Sequence, residues 1–297
     1  MTPRLLLTLS LVLLAVRPAS AQDFSEVTIK TTSVAGSISM LEGEGGNIGV
    51  LVGPDGVLLV DDEYAPLASK IASAVKQLSP KPVRFIVNTH CHHDHVGGNE
   101  AFGTEGAVIV AQDNVRKRMS TEQFIAFAKR TVPPYPAVAL PILTFADSVS
   151  FHLDGEDVDV LHVAAAHTDG DSLVFFKKAN VVHMGDVLFN GRYPFIDYSS
   201  GGSIDGVLAA ADLVLSRVDD KTRLIPGHGP LASKADLQKY RDMLATIRDR
   251  IQKAVADGKT LDQTVALKPT AEFDAAWGAG SLKPDVFVAL LYSGLKH

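Results

Sequence analysis

Residues 89–98 read Thr-His-Cys-His-His-Asp-His-Val-Gly-Gly, or THCHHDHVGG. Four of the chain's ten histidines fall within residues 90–95, with Asp94 among them. Imidazole suits zinc, and a carboxylate can complete such a site. His90 and His92 are two apart, so on an extended segment they point the same way and can grip one ion. Asp94 and His95 are adjacent and diverge, which suits a second ion close by. Tag-like histidine runs lie at termini or in low-complexity loops. This one follows the apolar, β-branched run Val83–Val87 and precedes Gly97-Gly98, where the backbone can turn tightly. It reads as a metal-binding loop at the end of a buried strand.

Two ions need more ligands than this loop supplies, and three later places offer them. His167 lies in Ala166-His167-Thr168-Asp169-Gly170-Asp171, just past a strand-like run at Val158–Val163. Asp186 follows His183-Met184-Gly185 at the end of the run Val181–Met184. His228 lies in Pro226-Gly227-His228-Gly229-Pro230, after a short strand at Arg223–Ile225. Each occupies a glycine-containing turn at a strand end, where functional side chains are commonly displayed.

Further out, hydrophobic periodicity gives the surrounding elements. Asn47–Val52 and Val57–Val60 read as a hairpin across Gly53-Pro54-Asp55-Gly56. Pro66–Leu78 has helical spacing, Gly106–Ala111 reads as a strand, and Asn114–Lys129 reads helical. A proline-rich loop covers Val132–Pro141. Val149–Leu153, Val158–Val163 and Ser172–Phe176 read as a meander. Ser203 is placed to cap a helix from Ile204 to Ser216. Lys234–Val255 is a long amphipathic helix, and Leu282–Leu291 reads as a last one. Two rounds of strands followed by helices suit two mixed sheets packed face to face with helices outside.

The order HCHHDH, AHTDGD, MGDVLF, PGHGP, preceded by VLLVDD at 57–62, resembles the metallo-β-lactamase-fold hydrolase superfamily. The similarity runs from about Gly46 to about Arg250. It implies a mixed α/β (α+β) architecture, a four-layer αββα sandwich with the metal site at one edge between the sheets. Carried over by position, it puts one zinc on His90, His92 and His167 and a second on Asp94, His95 and His228, with Asp186 bridging. Asp61 would steady a ligand or the loop, and its neighbour Asp62 is expected to be solvated. The resemblance implies that a water between two zincs ionises near neutral pH. It would then attack an acyl carbon, with Asp94 as the catalytic carboxylate orienting it. No G-x-S-x-G elbow competes with this reading.

The chain departs from true β-lactamases at Asp186, where those generally carry Cys or Ser. A bridging Asp looks more like glyoxalase II and lactonases. The leading expectation is therefore a zinc hydrolase acting on a β-lactam, with any antibiotic resistance that would bring, or on a related lactone or ester. The alternatives are a thioesterase, an iron-dependent oxygenase of sulfur compounds with a similar ligand set, and a non-enzymatic metal-binding protein. Phe189, Tyr193, Phe195 and Tyr198 follow Asp186 and can wall a pocket or fill the core. Gly45-Gly46-Asn47 reads first as a plain hairpin turn and second as a loop bordering the pocket. Cys91 reads as packing with an oxidation risk beside a metal, His93 as facing the pocket or solvent, and His183 as a satisfied core histidine.

The chain of 297 residues is 46% hydrophobic and 21% charged, ordinary for a globular protein. Arg4, an apolar run Leu5–Val16 and Ala19-Ser20-Ala21 form a secretory signal peptide, expected to be cleaved after Ala21. The run is too short to span a bilayer, which takes about 20 residues. That leaves one hydrolase domain over 22–297, periplasmic or secreted. Without Arg4 and Arg17 the mature chain has 26 basic against 34 acidic side chains. Such a balance gives no electrostatic footprint for nucleic acid or an anionic membrane, so the expected partner is a small-molecule substrate. The single cysteine, Cys91, excludes an intramolecular disulfide.

Overall fold

The computed structural model describes residues 23–127 and 129–296, so the expected leader lies outside the described residues. The first half runs β1 (Lys30–Ala35), β2 (Ile38–Glu42), β3 (Ile48–Gly53), β4 (Gly56–Val60), α1 (Ala68–Leu78), β5 (Val83–Asn88), α2 (His93–Val96), α3 (Asn99–Thr104), β6 (Val108–Gln112) and α4 (Asp113–Met119). A small hairpin, β7 (Gln123–Ile125) and β8 (Arg130–Val132), precedes β9 (Leu143–Phe145). The second half continues with β10 (Ser148–Leu153), β11 (Glu156–His162), β12 (Ser172–Phe176), β13 (Val181–His183), α5 (Ile204–Arg217), β14 (Arg223–Ile225), β15 (Ala232–Ser233) and α6 (Lys234–Ala256). Helices α7 (Leu261–Ala266), α8 (Asp274–Trp277) and α9 (Pro284–Leu295) close the chain.

One sheet orders β1-β2-β3-β4-β5-β6-β9, antiparallel up to β4 and parallel beyond it. The other orders β10-β11-β12-β13-β14-β15, with β13 and β14 parallel. Strand β4 shows why the layers stack as they do. All five of its residues are buried, so both faces must be covered. Leu58 and Val60 face the other sheet, packing with Val160, Val174, Phe176 and Ile225. Val57 and Leu59 face outward onto Leu67, Ile71 and Val75 of the α1 region. The second sheet is covered by α5, α6 and α9 through Val207, Leu244, Ile247 and Leu291. The result is the expected αββα sandwich.

Helix ends follow their local signals. Ser203 Oγ accepts from Gly206 N at 2.9 Å and starts α5. Ser233 and Asp236 form a reciprocal capping box that starts α6. The helical reading of Asn114–Lys129 is corrected: the helix ends at Met119 and the rest becomes the β7–β8 hairpin. Arg118 turns aside to bind Asp169 through Nε at 2.6 Å and Nη2 at 2.7 Å. Phe124 and Phe127 would have had to anchor a longer helix, yet they are 60% and 44% exposed. A helix without an apolar face to bury gains little from tertiary packing.

Candidate metal centre

Strand β5 carries the chain into the gap between the sheets and releases it at Asn88. The next residues, Thr89 to His95, cross the ends of the strands, and helix α2 begins inside the cluster at His93. The turn after β11 brings in His167, the turn after β13 brings in Asp186, and the turn after β14 brings in His228. The donor atoms of His90, His92, His167 and Asp186 gather within 4.8 Å of one another, and so do those of Asp94, His95 and His228. The two groups adjoin across Asp186. Its Oδ2 lies 3.4 Å from His167 Nε2 and 3.8 Å from His90 Nε2, while its Oδ1 lies 3.1 Å from His95 Nε2 and 3.4 Å from His228 Nε2. Asp94 Oδ2 lies 3.3 Å from His228 Nε2 and 3.7 Å from His95 Nε2.

The outward ring nitrogens decide which way the inward ones are charged. His167 Nδ1 donates to the Phe195 carbonyl at 2.8 Å, so its Nε2 is a bare lone pair. His92 Nε2 donates to the Asp197 carboxylate at 3.0 Å, so its Nδ1 is bare. Those two bare nitrogens face each other at 2.9 Å. Thr89 Oγ1 donates to Asp61 Oδ2 at 2.7 Å and therefore accepts from His90 Nδ1 at 3.0 Å. That leaves His90 Nε2 inward, buried and without a hydrogen-bond partner. Burial pulls His90 well below the usual imidazole range and pulls His167 down to about 4, so neither carries its own proton there. Three lone pairs and a carboxylate oxygen thus converge with no donor among them. A cation is the group that satisfies them all, and the donor set fits zinc or another imidazole-binding metal.

The neighbouring group has the complementary balance. Burial works against charge on His228, but the Asp186 and Asp94 carboxylates push it up to about 9. His95 is raised in the same way against its burial, by Asp186, Asp94 and Asp61. Protons on these two rings compete with a metal ion for the same positions.

Asp61 is buried, and it takes three hydrogen bonds: Thr89 N at 2.7 Å, Thr89 Oγ1 at 2.7 Å and His95 Nδ1 at 2.8 Å. It ties the start of the histidine loop to the His95 ring. Asp62 is not solvated. It is fully buried, and its Oδ1 accepts from Gly98 N at 2.8 Å, fixing the turn after the histidine loop. Burial pushes its carboxyl well up. Glu63 is buried as well, accepting from Gly45 N at 2.9 Å and Glu44 N at 3.2 Å. Asp61 and Glu63 both adopt left-handed backbone, φ 65° and 59°, a strained state that persists only where surroundings enforce it.

The reading of Gly45-Gly46-Asn47 as a plain turn is corrected too. Gly46 N donates to Asp94 O at 3.0 Å, and a Cβ at Gly46 would strike the His95 ring. Asn47 Nδ2 bridges the Pro226 and Gly229 carbonyls at 2.9 Å each, tying this loop to the turn that carries His228. Gly227 answers the same need, since a Cβ there would strike Asp186 Oδ1.

The aromatic set divides. Phe189 stacks on His228 with ring centres 4.9 Å apart, and Phe195 lies 5.8 Å from the His167 ring; both line a cleft of about 510 Å³ over the donor groups. Tyr193 does not line it: it is buried, stacked on Phe287 at 4.6 Å, with its hydroxyl on Asp274 at 2.8 Å. Tyr198 packs against the same core away from the cleft. His183 is the core histidine expected, donating from Nε2 to Asn47 O at 3.0 Å. Cys91 packs beside Val96, Val115 and Met119. Burial pushes its thiol up to about 12, which favours the protonated form. His93 lines the cleft and accepts from Arg130 Nη1 at 2.9 Å. Sequence reasoning missed Asp197, Glu63, Arg130 and Arg192; none stands in a metal-like spacing, and the last two also line the cleft.

A family model described as the metallo-beta-lactamase superfamily matches residues 41–249. The chain belongs to this superfamily. Among curated members, it is 25% identical over 252 residues to a linear primary-alkylsulfatase of Pseudomonas sp. (strain ATCC 19151), covering 71% of this chain and 48% of that protein. It is 27% identical over 166 residues to a hydroxyacylglutathione hydrolase of Polaromonas sp. (strain JS666 / ATCC BAA-500), covering 55% of each. The chain thus spans about half the length of the curated relatives it matches. The metallo-beta-lactamase fold is seen in a solved enzyme from Pontibacter korlensis, with TM-score 0.60 and 17% identity over 73% of this chain and 99% of that one. An inverting sec-alkylsulfatase from Pseudomonas sp. superposes with TM-score 0.66 and 17% identity over 89% of this chain and 50% of that one.

Proposed function

We propose that the chain is a dinuclear zinc hydrolase that opens an acyl bond in a small molecule, a β-lactam or a related lactone or ester. The observation that carries this reading is the division of Asp186, whose two oxygens serve the two donor groups separately. His90, His92 and His167 would hold one zinc and Asp94, His95 and His228 the other, with Asp186 between the two groups. Zinc so held supplies a Lewis acid and lowers the pKa of water towards neutrality. Asp94 lies on the cleft wall, where its carboxylate would orient a water towards a substrate carbonyl. Asp61, Asp197 and the Phe195 carbonyl hold the ring tautomers, so no donor has to turn during a reaction. Phe189 and Phe195 exclude bulk water from one wall. The mature chain, Gln22–His297, forms one exported domain, cleaved after Ala21 and delivered to the periplasm or the exterior.

A second reading, hydrolysis of a sulfate ester, is favoured by the two alkylsulfatase matches, which cover more of this chain than the lactamase-titled structure does or nearly as much. Both readings share the metal chemistry. Elemental analysis of the purified chain, followed by turnover of nitrocefin, a lactone, a thioester and an alkyl sulfate, separates them. About two zincs per chain and turnover abolished by a chelator is the expected result. A single iron would sink the zinc reading.

A further inference from the structure

The hairpin β7–β8 stands over the cleft as a sheet of its own, joined by ladder hydrogen bonds to neither large sheet. It delivers two side chains to the cleft wall, Phe127 before its second strand and Arg130 at the start of that strand. Phe127 meets Phe195 at 5.5 Å between ring centres. Arg130 donates from Nη1 to His93 Nε2 at 2.9 Å, and the His93 ring is braced edge-on by Tyr64 at 5.2 Å. Because His93 lies between His92 and Asp94, Arg130 is fixed directly beside the donor groups. Arg192 lines the same cleft.

These two arginines are unlike several others in the chain. Arg118, Arg241, Arg248 and Arg250 each pair with a carboxylate. Arg130 is held instead by the His93 ring, and acidic side chains outnumber basic ones 34 to 28, with Glu44 on the same cleft wall. Cations at the mouth of a cleft focus the field for an incoming anion. The guanidinium fork matches a carboxylate or sulfate. Resting on the hydrolase reading, we infer that the cleft selects substrates bearing a negative group next to an apolar one. Arg130 and Arg192 take the charge, and Phe127 and Phe195 take the apolar part. This gives His93 a role as the positioning residue for Arg130.

The test is calorimetric binding of 3-phenylpropanoate and its neutral amide, 3-phenylpropanamide, to the zinc-loaded chain and to R130A, R130K and R192A. The quantity read is the ratio of affinities, acid over amide, with zinc content measured on each sample. The ratio should fall about tenfold or more in R130A and in R192A, the loss expected for one charge-assisted hydrogen bond, and R130K should restore part of it. A ratio within about twofold of the parent in both alanine variants overturns the proposal. Should R130A fail to fold, R130K and R192A still decide. Anion preference without turnover of any ester would sink the hydrolase reading and leave this one standing.

Discussion

At the scale of single residues, the site is governed by hydrogen bonds that point away from it. Asp197 is the sharpest case. Its carboxylate fixes the proton on His92 Nε2 and so frees Nδ1 for the cluster. Burial works against ionisation of Asp197, but the His92 hydrogen bond holds it below the usual carboxylate range. Asp197→Ala leaves all the proposed ligands in place yet removes that tautomer lock. We expect zinc affinity at the position held by His92 to fall by about 10- to 100-fold, measured by competition with a chromophoric chelator. An unaltered affinity would mean that the Asp197 contact only supports the loop. The donor residues were legible in the sequence because imidazole spacing is a chemical signature. Asp197 was not, because an aspartate two positions after a phenylalanine has no signature; only the fold brings it to His92.

At the scale of elements, the central strands and the helices α1, α5, α6 and α9 were read well, while the strands β1, β2 and β9 and the loops were not. Val83–Val87 and Val57–Val60 announced themselves as buried strands, and the capped helix α5 began where Ser203 marked it. The errors fell where a short segment answers to a distant partner. The Gly45-Gly46-Asn47 loop resembles any turn until His95 is packed against it, and the segment after Met119 keeps a helix-like pattern although Phe124 stays 60% exposed. A Gly46→Ala variant tests the loop directly. Its methyl group must displace the His95 ring or the loop itself. Bound zinc per chain should drop below that of the parent, at the position served by His95, with the far-ultraviolet spectrum retained. Full zinc content in Gly46→Ala would show that the loop yields instead of the ring.

At the scale of the whole molecule, the donor residues come from both sheets: His90, His92, Asp94 and His95 follow the first, while His167, Asp186 and His228 follow the second. A metal ion bound across them fastens one half of the sandwich to the other. Ligands that bind only the folded state stabilise it by mass action, by about 4 kcal/mol at a thousandfold excess over Kd. Removing metal with a chelator should therefore lower the melting temperature by several degrees or more, and re-adding zinc should restore it; calorimetry on the same sample checks both. A melting temperature indifferent to the chelator would argue against ions bridging the halves. The order of motifs along the chain made this architecture legible in advance. The substrate was not legible, since a fold does not fix its function.

The β7–β8 hairpin carries a different implication. It shares no ladder with either sheet, and its exposed Phe124 contributes little to any core. The hairpin meets the donor loop through Arg130, which donates to His93, and meets the loop of Asp197 through Ala126 N, which donates to Ser199 Oγ. Part of the proposed recognition surface thus stands on a hairpin outside both large sheets. Edits to such a hairpin can change what the cleft accepts while the strand ends that carry the donor residues keep their place.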